Sequence, residues 1–172
     1  TGMSSSSPDH SYFDQAEIGV GYGHSVNGQV RSAVASFDLG IYAGATAAGD
    51  GTLRFYVKKY SEGHTPDPNG FQILNLDKDF VYNEATWDER SSGHPWTDGD
   101  PDGNGRPYYS KGGVWDVSGQ IGTFVSPTTV DYEQITVTVP RAVLQDWIDG
   151  NHHGIVFAPA NLDANLTYRV IY

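Results

Sequence analysis

Read as apolar against polar positions, the chain is dominated by a two-residue period. Leu53, Phe55 and Val57 alternate with Arg54, Tyr56 and Lys58, the clearest half-buried strand in the sequence. Ile135, Val137 and Val139 alternate with Thr136 and Thr138 in the same way. Ala33, Ala35 and Phe37 alternate with Ser32, Val34 and Ser36, which fits a period-two or fully buried strand. A weaker alternation runs from Phe71 to Leu76, and Ile155-Val156-Phe157-Ala158 is a short apolar run. Leu166, Tyr168, Val170 and Tyr172 alternate with Thr167, Arg169 and Ile171, so a strand is expected at the C-terminal end.

One segment breaks the period. Pro140 stands where a helix can start without losing a needed N–H. Val143, Leu144 and Trp147 follow at helical spacing with Ile148 beside them, and Gly150 supplies the stop. The pattern predicts two or three helical turns capping one end of a sheet stack. Many short strands joined by Gly- and Pro-bearing connections, with one short helix, imply an all-β fold. A jelly-roll β-sandwich of about eight strands is the expectation.

Composition narrows the class. The 172 residues suit a single domain with a real core. Residues 1–10, opening Thr-Gly-Met-Ser-Ser-Ser-Ser-Pro, read as a linker or expression remnant, and 11–172 as the module. Cysteine is absent, which excludes disulfides and thiolate metal sites. No apolar run approaches the ~20 residues of a membrane-spanning helix. A net charge of −11 argues against nucleic acid, whose phosphates favour basic partners. Abundant Gly, Tyr, Asn, Asp and Thr is common in extracellular β-proteins, so a secreted or cell-surface module cut from a longer chain is expected, with any signal upstream.

The stretch 83–113 holds the densest chemistry. Within it, Asp98-Gly99-Asp100-Pro101-Asp102-Gly103-Asn104 offers side-chain oxygens at every second position with glycines that permit a tight wrap. Calcium takes six to eight hard oxygen ligands, and alternating Asp/Asn with Gly delivers several from a short loop. Asp98, Asp100, Asp102 and Asn104 are therefore the candidate metal ligands, for a structural Ca²⁺. No Glu stands at the twelfth position, so the EF-hand pattern is not met. Residues 77–106 carry eight acids against three bases, nearly half the chain's net charge, and a cation would relieve that repulsion. A solvated acidic loop explains the same residues, since Asp-Gly and Pro-Asp-Gly are ordinary turn sequences. Histidines offer no zinc-helix spacing; His152-His153 follows the helix as a capping or solvated pair.

Several pieces, in order, resemble the disaggregatase-related (DNRLRE) domain, which overlaps carbohydrate-binding module family 96. They are Phe37-Asp38-Leu39, Leu53-Arg54-Phe55-Tyr56-Val57, Glu84-Ala85-Thr86-Trp87, Trp96, Gly112-Gly113, Trp147-Ile148-Asp149-Gly150 and Gly154-Ile155-Val156-Phe157. Ser36 stands where relatives are often basic, and the Asp-rich insert is longer than the family pattern. The resemblance implies a non-catalytic jelly-roll module attached to a catalytic domain in a secreted polysaccharide-degrading enzyme or to a surface protein, with acidic polysaccharide such as alginate as the associated ligand.

Sugar recognition needs flat aromatic faces together with polar groups that reach hydroxyls or carboxylates. Arg54, Tyr56 and Lys58 supply these on one strand face, with Tyr22 and Arg31 on or near other strands. Trp96, Arg106, Tyr108, Tyr109, Lys111 and Trp115 form a second set in the loop region. Arg suits planar carboxylates through its forked donors. Against this, Tyr on a sheet face is often plain β-propensity, and Trp87 and Trp147 fit core positions. Catalysis has less to stand on: no G-x-S-x-G occurs, and the acids crowd one loop. The sequence therefore leads to a monomeric, calcium-stabilised polysaccharide-binding module. A structural or adhesive surface domain and a small polysaccharide lyase are the alternatives. The acidic net charge opposes an anionic glycan unless a local basic patch offsets it, through Arg54, Lys58 and Lys59 or Arg106 and Lys111.

Overall fold

The computed structural model describes residues 2–4, 11, 18–23, 29–58, 70–86, 89–96, 117–125, 132–151, 153–159 and 167–171. Among these, eleven strands, one short α-helix and a 3₁₀ turn make an all-β, antiparallel protein. The strands are β1 (Gly2–Ser4), β2 (Ile18–Gly23), β3 (Gln29–Ala35), β4 (Gly51–Lys58), β5 (Phe71–Leu76), β6 (Glu89–Ser91), β7 (His94–Pro95), β8 (Val117–Phe124), β9 (Glu133–Val139), β10 (Gly154–Pro159) and β11 (Thr167–Ile171). The helix α1 spans Arg141–Ile148 and the 3₁₀ turn Gly40–Tyr42.

Hydrogen bonding orders the main strands β8-β5-β10-β3-β2-β11-β4-β9, with β1 added against β3 and β6-β7 forming a separate hairpin. Pairing is nested: β5 with β8, β4 with β9, β3 with β10 and β2 with β11. The two ends of this path meet. A Cβ placed on Gly122 of β8 would collide with Val137 of β9, so the strands approach more closely there than any side chain on β8 would permit. Across the interior, Phe55 of β4 packs edge-on against Phe124 of β8 and Phe157 of β10, with ring centroids 4.9 and 5.0 Å apart. Phe71 of β5 stacks on Phe124 at 5.0 Å. These four rings anchor the core, joined by Val20, Ala33, Val57, Ile73, Val137, Val139 and Ile155.

Strand patterning explains which side faces in. On β4, Phe55 and Val57 are buried while Thr52, Arg54 and Tyr56 are exposed. On β9, Val137 and Val139 are buried while Thr136 and Thr138 are exposed. In contrast, Ser32-Ala33-Val34 of β3 and Gly154 to Ala158 of β10 are buried throughout, as expected of central strands covered on both faces. The strand expected to reach Phe37 stops at Ala35; Phe37 is exposed and belongs to the loop that follows. Residues 2–4, read from sequence as linker, form β1 with Gly2 opposite Ala33.

The helix caps the core beside the start of β4. Val143, Leu144 and Trp147 face the core, and Leu144 lies against Gly51. Pro140 is the N-cap, and its missing side-chain cap is replaced from a distance: Asp50 Oδ1 accepts the Arg141 N–H at 2.9 Å. The C-terminus closes with a Schellman motif. The Gly150 N–H bonds the Trp147 carbonyl (3.2 Å), the Asn151 N–H bonds the Asp146 carbonyl (2.9 Å), and Gly150 sits at φ 77°. This is the stop expected at that glycine.

Candidate functional site

Two surfaces bring together groups able to hold a ligand. The first is the outer face of β4 and β9. Antiparallel register sets Thr52 opposite Thr138, Arg54 opposite Thr136 and Tyr56 opposite Gln134. All six side chains are exposed, and Tyr56 is 46% exposed. Gln134 Nε2 donates to the Tyr56 hydroxyl at 3.1 Å, which steadies the ring on the sheet. The result is an exposed row of one aromatic, one guanidinium, one carboxamide and three threonine hydroxyls. Arg54 and Tyr56 are thus placed together as the alternation predicts. Lys58 follows two positions along β4, opposite Val170 of β11. Tyr22 lies on β2 opposite Thr167, and Arg31 on β3 opposite Gly21. Arg31 is three strands away from β4 along the hydrogen-bonded order.

The loop set divides. Arg106, Tyr108, Tyr109, Lys111 and Trp115 lie outside the described residues, as do the calcium candidates Asp98, Asp100, Asp102 and Asn104, and Trp87. Trp96 is inside them and is only 1% exposed. Its indole N–H donates to the Thr86 carbonyl at 2.8 Å, and Phe80 packs 6.2 Å away. With its ring faces covered, Trp96 serves packing and is corrected out of the ligand set.

Around Trp96 the Glu84-Ala85-Thr86 motif is spent on structure. Glu84 Oε2 accepts the Ser92 N–H (3.1 Å), Thr86 Oγ1 accepts the Glu89 N–H (3.1 Å), and Ala85 is fully buried. Glu89 Oε2 accepts the Gly93 N–H at 3.1 Å, closing the β6-β7 hairpin. Arg90 pairs with Asp79, and Asp77 accepts the Ser118 hydroxyl at 2.6 Å. Four of the acids counted between 77 and 106 therefore have partners within the protein. Among the described residues, no three His, Asp or Glu side chains gather as a metal site.

The second surface is a cleft of about 450 Å³ where the loop after β3 meets the end of α1. Its lining includes Phe37, Asp38, Gly40, Trp147, Asp149 and His153. Phe37, 42% exposed, stacks on Trp147 with centroids 5.5 Å apart. Trp147 is fixed from behind by its N–H, which donates to buried Asn75 Oδ1 at 3.0 Å. The loop wall is tied to the helix by Gln145: its Oε1 accepts the Ala47 N–H (2.8 Å) and its Nε2 donates to the Ala45 carbonyl (3.1 Å). Sequence reasoning did not collect these residues, because Phe37-Asp38-Leu39 reads as a strand end and Trp147 to Gly150 as a helix stop.

Compared with models of known protein families and with curated proteins, the chain matches none. Among the described residues no helix is long and apolar enough to cross a membrane.

Proposed function

We propose that the chain is a non-catalytic polysaccharide-binding module with a jelly-roll β-sandwich fold. The fold reading is supported by the nested pairing of β2/β11, β3/β10, β4/β9 and β5/β8. Such nesting is what one long antiparallel hairpin wound over itself produces; the strands form one continuous hydrogen-bonded path in which β3 pairs with β2, and the jelly-roll reading folds that path at this pair into two layers, β8-β5-β10-β3 and β2-β11-β4-β9. The observation that carries the function is the exposed β4-β9 row, in which Tyr56 offers a sugar-stacking face between the hydrogen-bonding groups of Arg54, Gln134 and Thr136.

The module acts outside the cell as a monomer, holding a catalytic domain of the same parent chain near its polysaccharide by effective concentration. A calcium ion on Asp98, Asp100, Asp102 and Asn104 stabilises it, on the strength of their alternating spacing. Alginate is the first ligand to try, with Arg54 as its carboxylate partner.

Affinity electrophoresis against alginate, pectin, xylan and β-glucans tests the reading. At least one polysaccharide is expected to retard the protein, and Arg54→Ala with Tyr56→Ala to weaken retardation at least fivefold. Migration unchanged on every polysaccharide would leave a structural or adhesive domain instead. A rise in ultraviolet absorbance from unsaturated product would return the lyase.

A further inference from the structure

The cleft between the Phe37 loop and the end of α1 has a chemistry opposite to that of the β4-β9 row. Its lining holds two carboxylates, Asp38 and Asp149, and no lysine or arginine among the described residues. Asp38 Oδ1 accepts the Gly40 N–H at 3.0 Å, and Asp149 Oδ1 accepts from Gln145 Nε2 at 2.9 Å. The second oxygen of each is without a partner among the described residues, and so is the His153 imidazole. The helix end adds partial negative charge, because α1 points its C-terminus here. Beside these groups stands the Phe37-Trp147 stack. Aromatic faces with carboxylates and, among the described lining residues, no lysine or arginine attract a cation carried on a carbon skeleton. The volume is within the ordinary range for a small-ligand site.

We propose that this cleft is a second saccharide site, selective for a sugar bearing a protonated amine, as in β-linked glucosamine polymers. The proposal rests on the polysaccharide reading above, which selects a sugar over other carriers of an amine. One pyranose face lies on the exposed side of Phe37, and the ammonium lies between Asp38 and Asp149. An anionic uronate is repelled by the same two carboxylates. The site is separate from the β4-β9 row: none of its lining residues lies on β4 or β9.

Isothermal titration of the whole chain with tetramers of glucosamine, N-acetylglucosamine and a uronic acid, and with tetralysine, tests this. Glucosamine tetramer is expected to bind at least tenfold tighter than its N-acetylated form, and to weaken as salt rises from low to high ionic strength. The double variant Asp38→Asn/Asp149→Asn keeps an oxygen for both internal hydrogen bonds, so its thermal melt stays near that of the parent while glucosamine affinity falls at least tenfold. Arg54→Ala/Tyr56→Ala leaves glucosamine affinity unchanged. Equal affinity for the amine and its acetylated form, tetralysine binding as tightly as the amino sugar, or undiminished binding by the double Asn variant would each overturn the proposal. Retention on other polysaccharides without glucosamine binding overturns the cleft alone; failure of both overturns the polysaccharide reading with it.

Discussion

Individual residues in this protein show how much a single atom's surroundings decide. Ser32 is fully buried on β3, and its hydroxyl has no hydrogen-bond partner among the described residues. A buried polar group without a partner carries a desolvation penalty of about 1–3 kcal/mol. Ser32→Ala is therefore expected to hold or raise the midpoint of urea unfolding, and a clear fall would reveal a partner for the hydroxyl. Gly154 is the opposite case. It opens β10 at φ 141°, and a Cβ there would collide with the Ala35 carbonyl. Gly154→Ala is expected to destabilise by about 2 kcal/mol or more, read from the same unfolding curves. The sequence reading could use Gly154 only as the leader of an apolar run, since its close approach to Ala35 depends on a strand partner over a hundred residues earlier.

At the scale of elements, alternation was the reliable guide. The half-buried strands β4 and β9 were legible because one face must be apolar and the other polar, and Arg54 and Tyr56 were found through that rule. Strand β8 was not legible: Val117–Phe124 shows little alternation, and it pairs with β5 through register shifts. Strand β2 alternates Ile18, Val20 and Tyr22 with glycines, which supply no polar side chains to mark a second face. The cleft was invisible for a similar reason: local pattern cannot say which loop meets which helix end. Gln145 makes that meeting, with three hydrogen bonds to Ala45, Ala47 and Asp149. Gln145→Ala is expected to reduce stability by about 1–2 kcal/mol and to quicken amide exchange at Ala47 well beyond any change in β4. Equal exchange rates in the variant and the parent would show that the loop is held by other contacts.

For the whole molecule, charge is the governing quantity. A net charge of −11 on 172 residues sets a background that any anionic ligand must overcome. If the Asp98 to Asn104 segment holds calcium, excess chelator lowers the thermal midpoint by several degrees, and calcium restores it while magnesium does so poorly. An unchanged melt in chelator would remove calcium as a stabilising ligand. The acids that the sequence grouped as one repulsive cluster proved divisible: Glu84, Glu89, Asp77 and Asp79 each have a protein partner, a distribution that depends on the β6-β7 hairpin and on β8 rather than on spacing.

The nested pairing also sets the order in which the chain can be finished. β5 pairs with β8 across a moderate separation, but β11 must find its place between β2 and β4 after all the other strands of the fold have been made. Contacts of such long range carry a large loop-closure entropy, so folding on the millisecond-to-second scale is expected, with β11 among the last strands to dock. Until it docks, β2 and β4 present open edges to the gap and to any neighbouring chain. A ribosome-bound or truncated chain ending before Thr167 would be a sticky, half-zipped intermediate, and self-association during synthesis is the hazard built into this topology.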